Sequence, residues 1–507
     1  MTRMQHEAMT TDEMRVLELN AEYLGVKLGM LMQQAGREIA RVIEERESVK
    51  DAHVLILSGL GGNGGDGMVA ARHLDEAGAN VELCLIGDEN RISSPDTEEN
   101  WAILKHLRTI DLKILGSESD IKSCKSIARA DIIVDAMLGF GLTSPVRQPM
   151  LTAVKRVNKA SAKKYSVDVP TGINSDTGAV LGDAVKADVT VTMHAPKTGL
   201  LNAAGHVGDL VPVAIGIPPD AYTTCGTGDL WLFTQGRPSS SKKGDFGRIL
   251  VVGGSDVYSG APALSGLAAL RTGADLVSII APEPVVPAIR SYSPNLMVVG
   301  MGTPIFSPHS LSVTRDIAES NDVTAIGPGL GRDKSTKEAL RALVTELSDK
   351  GIKMVIDADG LKHLADSGIS LDPLTTLLTP HWGELQILLG KKTGEPSEIE
   401  NRIRRALDAA TAYNATVLLK GPTDVVASPN GSYKLNRTGV PAMTVGGTGD
   451  VLTGICATLL ARGRGAFQAA AAAAFVSGRS GEIAHERYGN HVVATDCIEA
   501  IPDAMRS

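Results

Sequence analysis

Residues 58–74, "SGLGGNGGDGMVAARHL", indicate the fold of the first half of the chain. The stretch follows an apolar run, "VLILSGL" at 54–60, and leads into an amphipathic segment, which is the pattern of a strand, a turn and a helix. Six glycines surround Asn63 and Asp66 at this turn. Because glycine lets the backbone approach a ligand closely and a helix N-terminus attracts anions, a phosphate or a sugar hydroxyl is the natural occupant.

The carboxylate of Asp66 conflicts with phosphate binding, since like charges repel. Asp66 either caps the following helix or accepts hydrogen bonds from a ribose. The stretch lacks the lysine of a P-loop and the clean spacing of a dinucleotide fingerprint. Asn63 offers an amide oxygen, which is a suitable ligand for a hard cation. A tight glycine turn with a capping residue is the plainer alternative.

Apolar strands alternate with helical segments through most of the chain. The runs at 54–60, 81–87, 131–138 and 187–193 precede a Pro-, Gly- and Ser-rich junction at 219–246, and the alternation then restarts at "RILVVGGS". This pattern predicts an α/β protein with parallel sheets and two domains, residues 1–221 and 222–507. The N-terminal segment and the Ala-rich run near the C-terminus are expected to be helical.

Composition narrows the class of protein. The chain has 507 residues, 43% hydrophobic and 21% charged, with a net charge of −8, which argues against nucleic-acid binding. No apolar run is long enough to span a bilayer and the start lacks a hydrophobic signal core, so we expect a cytoplasmic protein without a membrane partner. Five cysteines without a CxxC pair predict small buried thiols, neither a disulfide framework nor a zinc site. The apolar terminal helices favour a homo-oligomer.

Two further strand ends carry acidic residues. "DIIVDAMLGFGLTSP" ends a strand with Asp135, and "YSVDVPTGINSDTG" ends another with Asp168, followed by Thr171. Because the carboxyl ends of parallel strands meet at one sheet edge, these residues and Asn63 are expected to lie together at a ligand site. A capped strand end before Pro170 is the plainer interpretation of Asp168.

The motifs "GGNGGDG", "VDAMLGFGL" and "DVPTGI" together resemble the NAD(P)H-hydrate epimerase family over about residues 9–215. The resemblance implies a Rossmann-like three-layer α/β/α domain, potassium held by Asn63, Asp135 and Thr171, and a substrate contact and proton-moving role for Asp168. Many members have Asn-Asn where this chain has Gly62-Asn63. The implied substrate-binding residues are Gly62, Asn63, Gly64, Gly65, Asp66, Gly139, Phe140, Gly141, Leu142, Thr143, Ser144, Pro145 and Asp168.

The second half contains "GVPAMTVGGTGDVLTGICATLLARG", in which a glycine cluster precedes Asp450 and a long apolar segment. Backbone N–H groups of residues 447–450 are expected to form an anion hole at the start of a helix. Asp450 beside the hole is suited to take a proton from a substrate hydroxyl as a phosphoryl group arrives, and the helix dipole is expected to help keep it ionised. A simple capping aspartate is the alternative.

Several further motifs, including "AIGPGLGR", "VIDADGL", "LTPHWGE" and "LLKGPTDVV", occur in order and resemble NAD(P)H-hydrate dehydratase of the ribokinase-like superfamily over about residues 240–500. The resemblance implies hydrate-binding residues Ala261, Gly329, His381 and Asp450. It implies nucleotide-binding residues Lys420, Gly421, Pro422, Thr423, Asp424 and Gly449. The usual "HPGE" is "HWGE" here, so the hydrate-binding role of His381 is less firmly implied than the others. An ordinary surface lysine is the alternative interpretation of Lys420.

Taken together, the resemblances imply a bifunctional enzyme for cofactor repair. The first domain would epimerise R and S hydrates of NADH and NADPH, and the second would dehydrate the S form with ADP and Mg²⁺. ADP is expected because bacterial and archaeal members consume ADP, animal and fungal members consume ATP, and the fused arrangement is prokaryotic. The alternatives are a ribokinase-like kinase for a vitamin precursor fused to a cofactor-binding domain, and a scaffold that has lost catalysis.

Overall fold

The computed structural model describes residues 8–234, 236–391 and 398–506. The chain divides into two compact units, residues 1–221 and 222–507. Each unit is built around one sheet with helices between most successive strands. The α/β class with two domains, expected from the alternating pattern, is therefore confirmed.

The sheet of the first unit has seven strands, all paired in parallel, in the order β3-β2-β1-β4-β5-β6-β7. The strand order reverses between β1 and β4, which is where open α/β sheets bind ligands. The residues 54–57 at the centre of β1 are fully buried, as a continuous apolar run predicts. The strands are β1 His53–Ser58, β2 Asn80–Ile86, β3 Asp111–Leu115, β4 Ile132–Ala136, β5 Lys163–Val167, β6 Val189–Met193 and β7 Asp209–Val213.

The first helix begins at Thr11 and is capped by Thr10, whose backbone N–H donates to Glu13 at 2.8 Å in a capping box. The second and third helices approach closely because Gly36 has no side chain: a Cβ there would lie 2.4 Å from Val69 Cβ. The helices are α1 Thr11–Tyr23, α2 Leu28–Glu44, α3 Gly62–Glu76, α4 Pro95–His106, α5 Glu118–Ser123, α6 Ser126–Arg129, α7 Met150–Val157, α8 Ala204–Val207 and α9 Asp220–Thr223, which contains the boundary between the units.

The sheet of the second unit has nine strands in the order β10-β9-β8-β11-β12-β13-β14-β15-β16. Strands β15 and β16 pair antiparallel, unlike the parallel sheet that the sequence pattern predicts. Short turns connect β14, β15 and β16, and a parallel crossover needs a longer connection. The strands are β8 Arg248–Val252, β9 Leu276–Ala281, β10 Met297–Gly300, β11 Val323–Ile326, β12 Lys353–Ile356, β13 Thr376–Leu378, β14 Thr416–Leu419, β15 Asp424–Ala427 and β16 Tyr433–Asn436.

The Ala-rich run forms a long buried helix, α19, as its composition predicts, with residues 469–474 at most 1% exposed. None of the described helices combines the length and apolarity of a membrane span. The helices are α10 Thr227–Trp231, α11 Gly260–Thr272, α12 Val286–Tyr292, α13 Leu311–Glu319, α14 Lys334–Asp349, α15 Asp359–Leu364, α16 Trp382–Leu388, α17 Ile399–Tyr413, α18 Thr448–Ala461, α19 Ala466–Tyr488 and α20 Ala494–Ala504.

Candidate active sites

A cavity of about 590 Å³ lies at the carboxyl edge of the first sheet. Its lining comes from the first helices and from the loops that follow β1, β4 and β5. Eight of the residues implied by the family resemblance belong to it, so motifs that are far apart in sequence meet in one site. They are Gly62, Asn63, Asp66, Gly139, Phe140, Gly141, Leu142 and Asp168.

Five other implied residues lie elsewhere. Gly64 and Gly65 are buried in the first turns of α3, where a Cβ would lie 2.1 Å from Gly59 O and 2.6 Å from Met32 Sδ respectively. These two glycines therefore let α3 pack closely on its neighbours. Residues 143–145, namely Thr143, Ser144 and Pro145, are exposed and do not line the cavity.

Asp168 lines the cavity and has one carboxylate oxygen without a hydrogen-bond partner. Its Oδ1 pairs with the buried Lys197 ammonium and accepts a hydrogen bond from the Met193 N–H at 3.0 Å. Its Oδ2 is buried and has no hydrogen-bond partner. Sequence reasoning missed Lys197, because a lysine in a loop is ordinarily solvated. The ion pair and the backbone N–H therefore occupy Oδ1 and leave Oδ2 as the unpaired oxygen.

Asp66 and Glu18 add two more carboxyl groups to the cavity lining. Burial, reinforced by the negative charges of Asp168 and Glu18, raises the pKa of Asp66 well above its usual value. Burial also raises the pKa of Glu18, whose Oε2 lies 3.2 Å from Arg15 Nη1. The raised pKa favours the protonated carboxyl group, which carries no charge to repel a phosphate, and this reduces the conflict posed by a carboxylate in the glycine turn.

Asp135 and Thr171 form a buried cluster of oxygen atoms behind the cavity. Thr171 donates to Asp135 through its hydroxyl at 2.6 Å and its backbone N–H at 2.9 Å, and Ser166 donates at 2.8 Å. Asp135 has no ion-pair partner among the described residues, and burial raises its pKa. Asn63 packs on the adjacent loop, with its Oδ1 3.0 Å from the position of a Cβ on Gly139. An unpaired buried carboxylate among oxygen donors fits a hard cation.

The second unit places Asp450 in the first turn of α18, directly after the glycine cluster. Gly447, the residue before the helix, has a φ of 98°, a conformation that glycine adopts readily. Burial and the nearby charge of Asp357 raise the pKa of Asp450 to about 7. The sequence predicts that the dipole of α18 helps to keep Asp450 ionised. In the structure, the loss of solvation on burial is the larger effect and favours the neutral form. A carboxyl group with this pKa can both accept and return a proton near neutral pH.

Lys420 faces the start of the same helix. Its Nζ lies 3.5 Å from the position of a Cβ on Gly449 and 2.8 Å from Asp357 Oδ1. The other oxygen of Asp357 accepts a hydrogen bond from the Thr453 hydroxyl at 2.7 Å. Sequence reasoning did not single out Asp357 as the partner of Lys420. Its position directly after β12, in "VIDADGL", was the signal that could have indicated a site residue. The arrangement holds an ammonium group beside the helix N-terminus, where phosphates bind.

Ala261 and Gly329 lie next to each other, since a Cβ on Gly329 would be 3.4 Å from Ala261 Cβ. Ser265, one turn further along α11, donates to the backbone carbonyl of Asp450 at 2.9 Å. Gly329 has a φ of 67°, so its loop turns where a larger residue would be strained. These contacts bring three of the four implied hydrate-binding residues together.

His381 caps α16 and is largely exposed. Its Nδ1 accepts from the Gly383 N–H at 3.0 Å, and its Nε2 lies 3.4 Å from Glu384. Its backbone pairs with that of Lys420, which places it near the site. Trp382, which stands at the proline position of the usual "HPGE" motif, is 9% exposed and belongs to the hydrophobic core. The substitution therefore fills the core and leaves the histidine side chain accessible.

The loop of residues 420–424 turns tightly between β14 and β15. Its Gly421 N–H donates to Asp424 Oδ1 at 2.9 Å, and Asp424 Oδ2 accepts from Asn436 at 3.0 Å. Asp424 therefore holds the shape of the loop. Gly421 and Pro422 are exposed, and Thr423 is half-buried, so the loop presents backbone groups beside Lys420.

Comparisons with known proteins assign both halves of the chain. A family model described as YjeF-related protein N-terminus matches residues 28–199, and one described as NAD(P)H-hydrate dehydratase matches residues 249–503. The crystallised ADP/ATP-dependent NAD(P)H-hydrate dehydratase of Bacillus subtilis is 29% identical, with a TM-score of 0.46, over 54% of this chain and 93% of that chain.

Two archaeal relatives match along nearly the whole chain. The bifunctional NAD(P)H-hydrate repair enzyme Nnr of Hyperthermus butylicus is 41% identical over 505 residues, which cover 99% of this chain and 93% of the relative. The protein of the same name from Pyrobaculum aerophilum is 41% identical over 507 residues, covering 99% and 98%. With both family domains in this order and both sites built as described, the chain belongs to the family of bifunctional NAD(P)H-hydrate repair enzymes.

Proposed function

We propose that residues 1–221 interconvert the R and S epimers of hydrated NADH and NADPH, and that residues 222–507 dehydrate the S epimer while ADP is converted to AMP and phosphate. The observation that carries the proposal is that Asp168, a residue lining the cavity of the first unit, keeps its buried Oδ2 without a hydrogen-bond partner. Its counterpart in the second unit is Asp450, beside the helix start and Lys420.

Epimerisation requires the ring hydroxyl to leave one face and return to the other. The hydroxyl carbon adjoins the ring nitrogen, whose lone pair expels the hydroxyl as water once a proton is supplied. Water then adds to the opposite face and loses a proton, so no proton is gained or lost overall. Protonated Asp66 is suited to donate the first proton and Asp168 Oδ2 to accept the second.

Potassium is proposed to bind between the amide oxygen of Asn63 and the oxygen cluster of Asp135 and Thr171. The cluster suits this ion because the Asp135 carboxylate is buried without an ion-pair partner among the described residues. A bound cation would neutralise that charge and hold the loops after β4 and β5 in place. Asp135 and Thr171 themselves tie these loops together through their mutual hydrogen bonds.

Dehydration is proposed to proceed through a phosphorylated hydrate, because phosphate is a far better leaving group than hydroxide. Asp450 takes the proton of the ring hydroxyl as that oxygen attacks the β-phosphorus of ADP, and AMP departs. Loss of phosphate and of the proton on the adjacent ring carbon then restores the reduced nicotinamide. Lys420 and the N–H groups at the start of α18 stabilise the transferred phosphoryl group. Mg²⁺, bound with the nucleotide, supplies further charge neutralisation.

The proposal is tested by the recovery of reduced-nicotinamide absorbance from a mixture of both epimers with K⁺, Mg²⁺ and ADP. Complete recovery is expected, because epimerisation replenishes the S form as it is consumed. Recovery that stops at the initial S fraction would reject the role of the first unit. No recovery with ADP or ATP, together with phosphorylation of a vitamin precursor, would favour the kinase alternative. Replacing ADP with ATP determines which nucleotide is used.

A further inference from the structure

A second cluster of chemically reactive side chains lies in the first unit, and none of its members lines the catalytic cavity. Glu82 and Cys84 are two residues apart in β2, so both side chains point to the same face of the sheet. Cys124 follows α5 and reaches the same face from above. The three residues are buried, and their ligand atoms all lie within 4.8 Å of one another.

The surroundings of the cluster hold the Glu82 carboxylate in place. Lys113 Nζ donates to its Oε1 at 2.8 Å, and the Ser126 hydroxyl donates to its Oε2 at 2.7 Å. His53 lies on the same side, with its Nε2 3.8 Å from Glu82 Oε2. In metal sites, hydrogen bonds of this kind orient the carboxylate that binds the metal.

The charges of the cluster balance around a divalent ion. Two thiolates and one carboxylate bring three negative charges, and a divalent cation with the Lys113 ammonium brings three positive ones. Two sulfur ligands favour a soft or borderline metal, and a set of two cysteines with a carboxylate and a nearby imidazole suits tetrahedral zinc. The proposed potassium site offers oxygen ligands alone, whereas this cluster adds two sulfur ligands, so the two sites would favour different metals.

We propose that Glu82, Cys84 and Cys124 bind one zinc-class divalent ion, with His53 or a water molecule as the fourth ligand. The proposal goes beyond the repair function, because the cluster lies within the body of β2 and not at the carboxyl edge. It also differs from the expectation that the cysteines form no metal site. That expectation rested on the absence of a CxxC pair, whereas the fold brings together two cysteines that are 40 positions apart in the sequence. The ion would fix β2 to the segment that follows α5.

The test uses the reduced, chelator-treated full-length protein titrated with Co²⁺, whose thiolate complexes absorb through charge transfer. One equivalent of Co²⁺ is expected to give this absorption, and Zn²⁺ is expected to abolish it by displacement. Cys84→Ser and Cys124→Ser are expected to lose the absorption. Glu82→Gln, which keeps the shape of the side chain, is expected to weaken Co²⁺ binding at least about tenfold, since it removes a charged ligand.

Cys225→Ser is the matched control, because Cys225 is equally buried and lies in the other unit. It is expected to keep the full absorption. Absence of the absorption in the wild-type protein would overturn the proposal, as would its persistence in both cysteine variants. If the reduced protein binds no Co²⁺ and instead forms a Cys84–Cys124 disulfide with hydrogen peroxide, the cluster is a redox pair and the metal site is rejected. Folding of each variant is checked by its circular dichroism, and Glu82→Gln decides the case if a serine variant unfolds.

Discussion

Lys197 and Asp168 form an ion pair that is buried from solvent, with side-chain exposures of 0% and 4%. Lys197 also donates to the Met193 carbonyl at 2.9 Å, so its ammonium is held beside Oδ1 of the carboxylate. Asp168 has a φ of 62°, which directs its side chain toward the cavity from the end of β5. The pair therefore occupies one carboxylate oxygen and leaves the other, Oδ2, for the role proposed for Asp168.

Asp168→Asn is expected to abolish epimerisation; because it leaves the buried Lys197 ammonium without its ion-pair partner, it is also expected to lower the stability of the first unit, and folding is checked by circular dichroism. Asparagine matches aspartate in shape and tolerates positive φ better than most residues, so the turn is retained. The amide cannot accept the proton that Asp168 Oδ2 is proposed to take. Recovery from a mixed hydrate should then stop at the S fraction, while dehydration of the pure S epimer continues at the wild-type rate. Complete recovery by the variant would reject the role of Asp168.

Lys197→Met is expected to destabilise the first unit by about 3–5 kcal/mol, because it leaves a buried carboxylate without its partner. The measurement is the denaturant midpoint of the first unit's unfolding transition in the full chain. The double variant Asp168→Asn, Lys197→Met should recover part of the loss, since no unpaired charge remains. Equal destabilisation in the single and double variants would show that packing, not charge, is what Lys197 contributes.

The sequence predicted the residues at strand ends but not their partners. Asp135, Asp168 and Asn63 could be assigned to one edge because an alternating pattern implies a parallel sheet, and a parallel sheet brings its carboxyl ends together. Lys197 could not be found in this way. It lies 29 residues after Asp168, in a loop whose path depends on the packing of the whole unit.

Charge states were the other part that the sequence could not predict. The position of Asp450 at a helix start favours the ionised form, whereas its burial and the charge of Asp357 favour the neutral form. Only the three-dimensional structure shows which effect is larger. The same holds for Asp66, which looks like a repulsive charge in the sequence and is a buried acid in the structure.

Asp66→Asn is expected to slow epimerisation and to change how stability depends on pH. Because burial raises the pKa of Asp66 in the folded state, the folded protein holds this proton at pH values where the unfolded chain has released it. The free energy of unfolding of the wild-type protein therefore falls as pH rises above the pKa of Asp66 in the unfolded chain. The fall ends when pH reaches the pKa of Asp66 in the folded protein. Asparagine does not titrate, so the variant lacks this dependence of stability on pH.

The free energies of unfolding of wild type and Asp66→Asn should thus diverge in favour of the variant between acidic and neutral pH. Denaturant titrations at a series of pH values provide the measurement. A constant difference between the two proteins across this range would mean that Asp66 is already ionised in the folded state. Leu31→Met, a near-isosteric change in the same lining, is a control that should leave the pH dependence unaltered.

Asp450→Asn is expected to reduce nucleotide-dependent dehydration by roughly 10²- to 10⁴-fold, the usual contribution of a general base. In the wild-type enzyme, kcat/KM for the S hydrate should rise with pH through a midpoint near the Asp450 pKa of about 7. The rise follows because only the ionised form accepts the hydroxyl proton. A flat profile through neutral pH would contradict the assignment. Epimerisation by the variant serves as the control and should be unchanged.

Lys420→Met is expected to raise the KM for the nucleotide by at least about tenfold, because it removes the ammonium group beside the start of α18. Lys420→Arg, which keeps the charge, should retain part of the affinity. Since the methionine variant also leaves Asp357 without its ion-pair partner, Lys420→Met is compared with the double variant Lys420→Met, Asp357→Asn. If the double variant regains stability but not nucleotide affinity, Lys420 acts on the phosphates directly. Recovery of both would show that Lys420 serves only to neutralise Asp357.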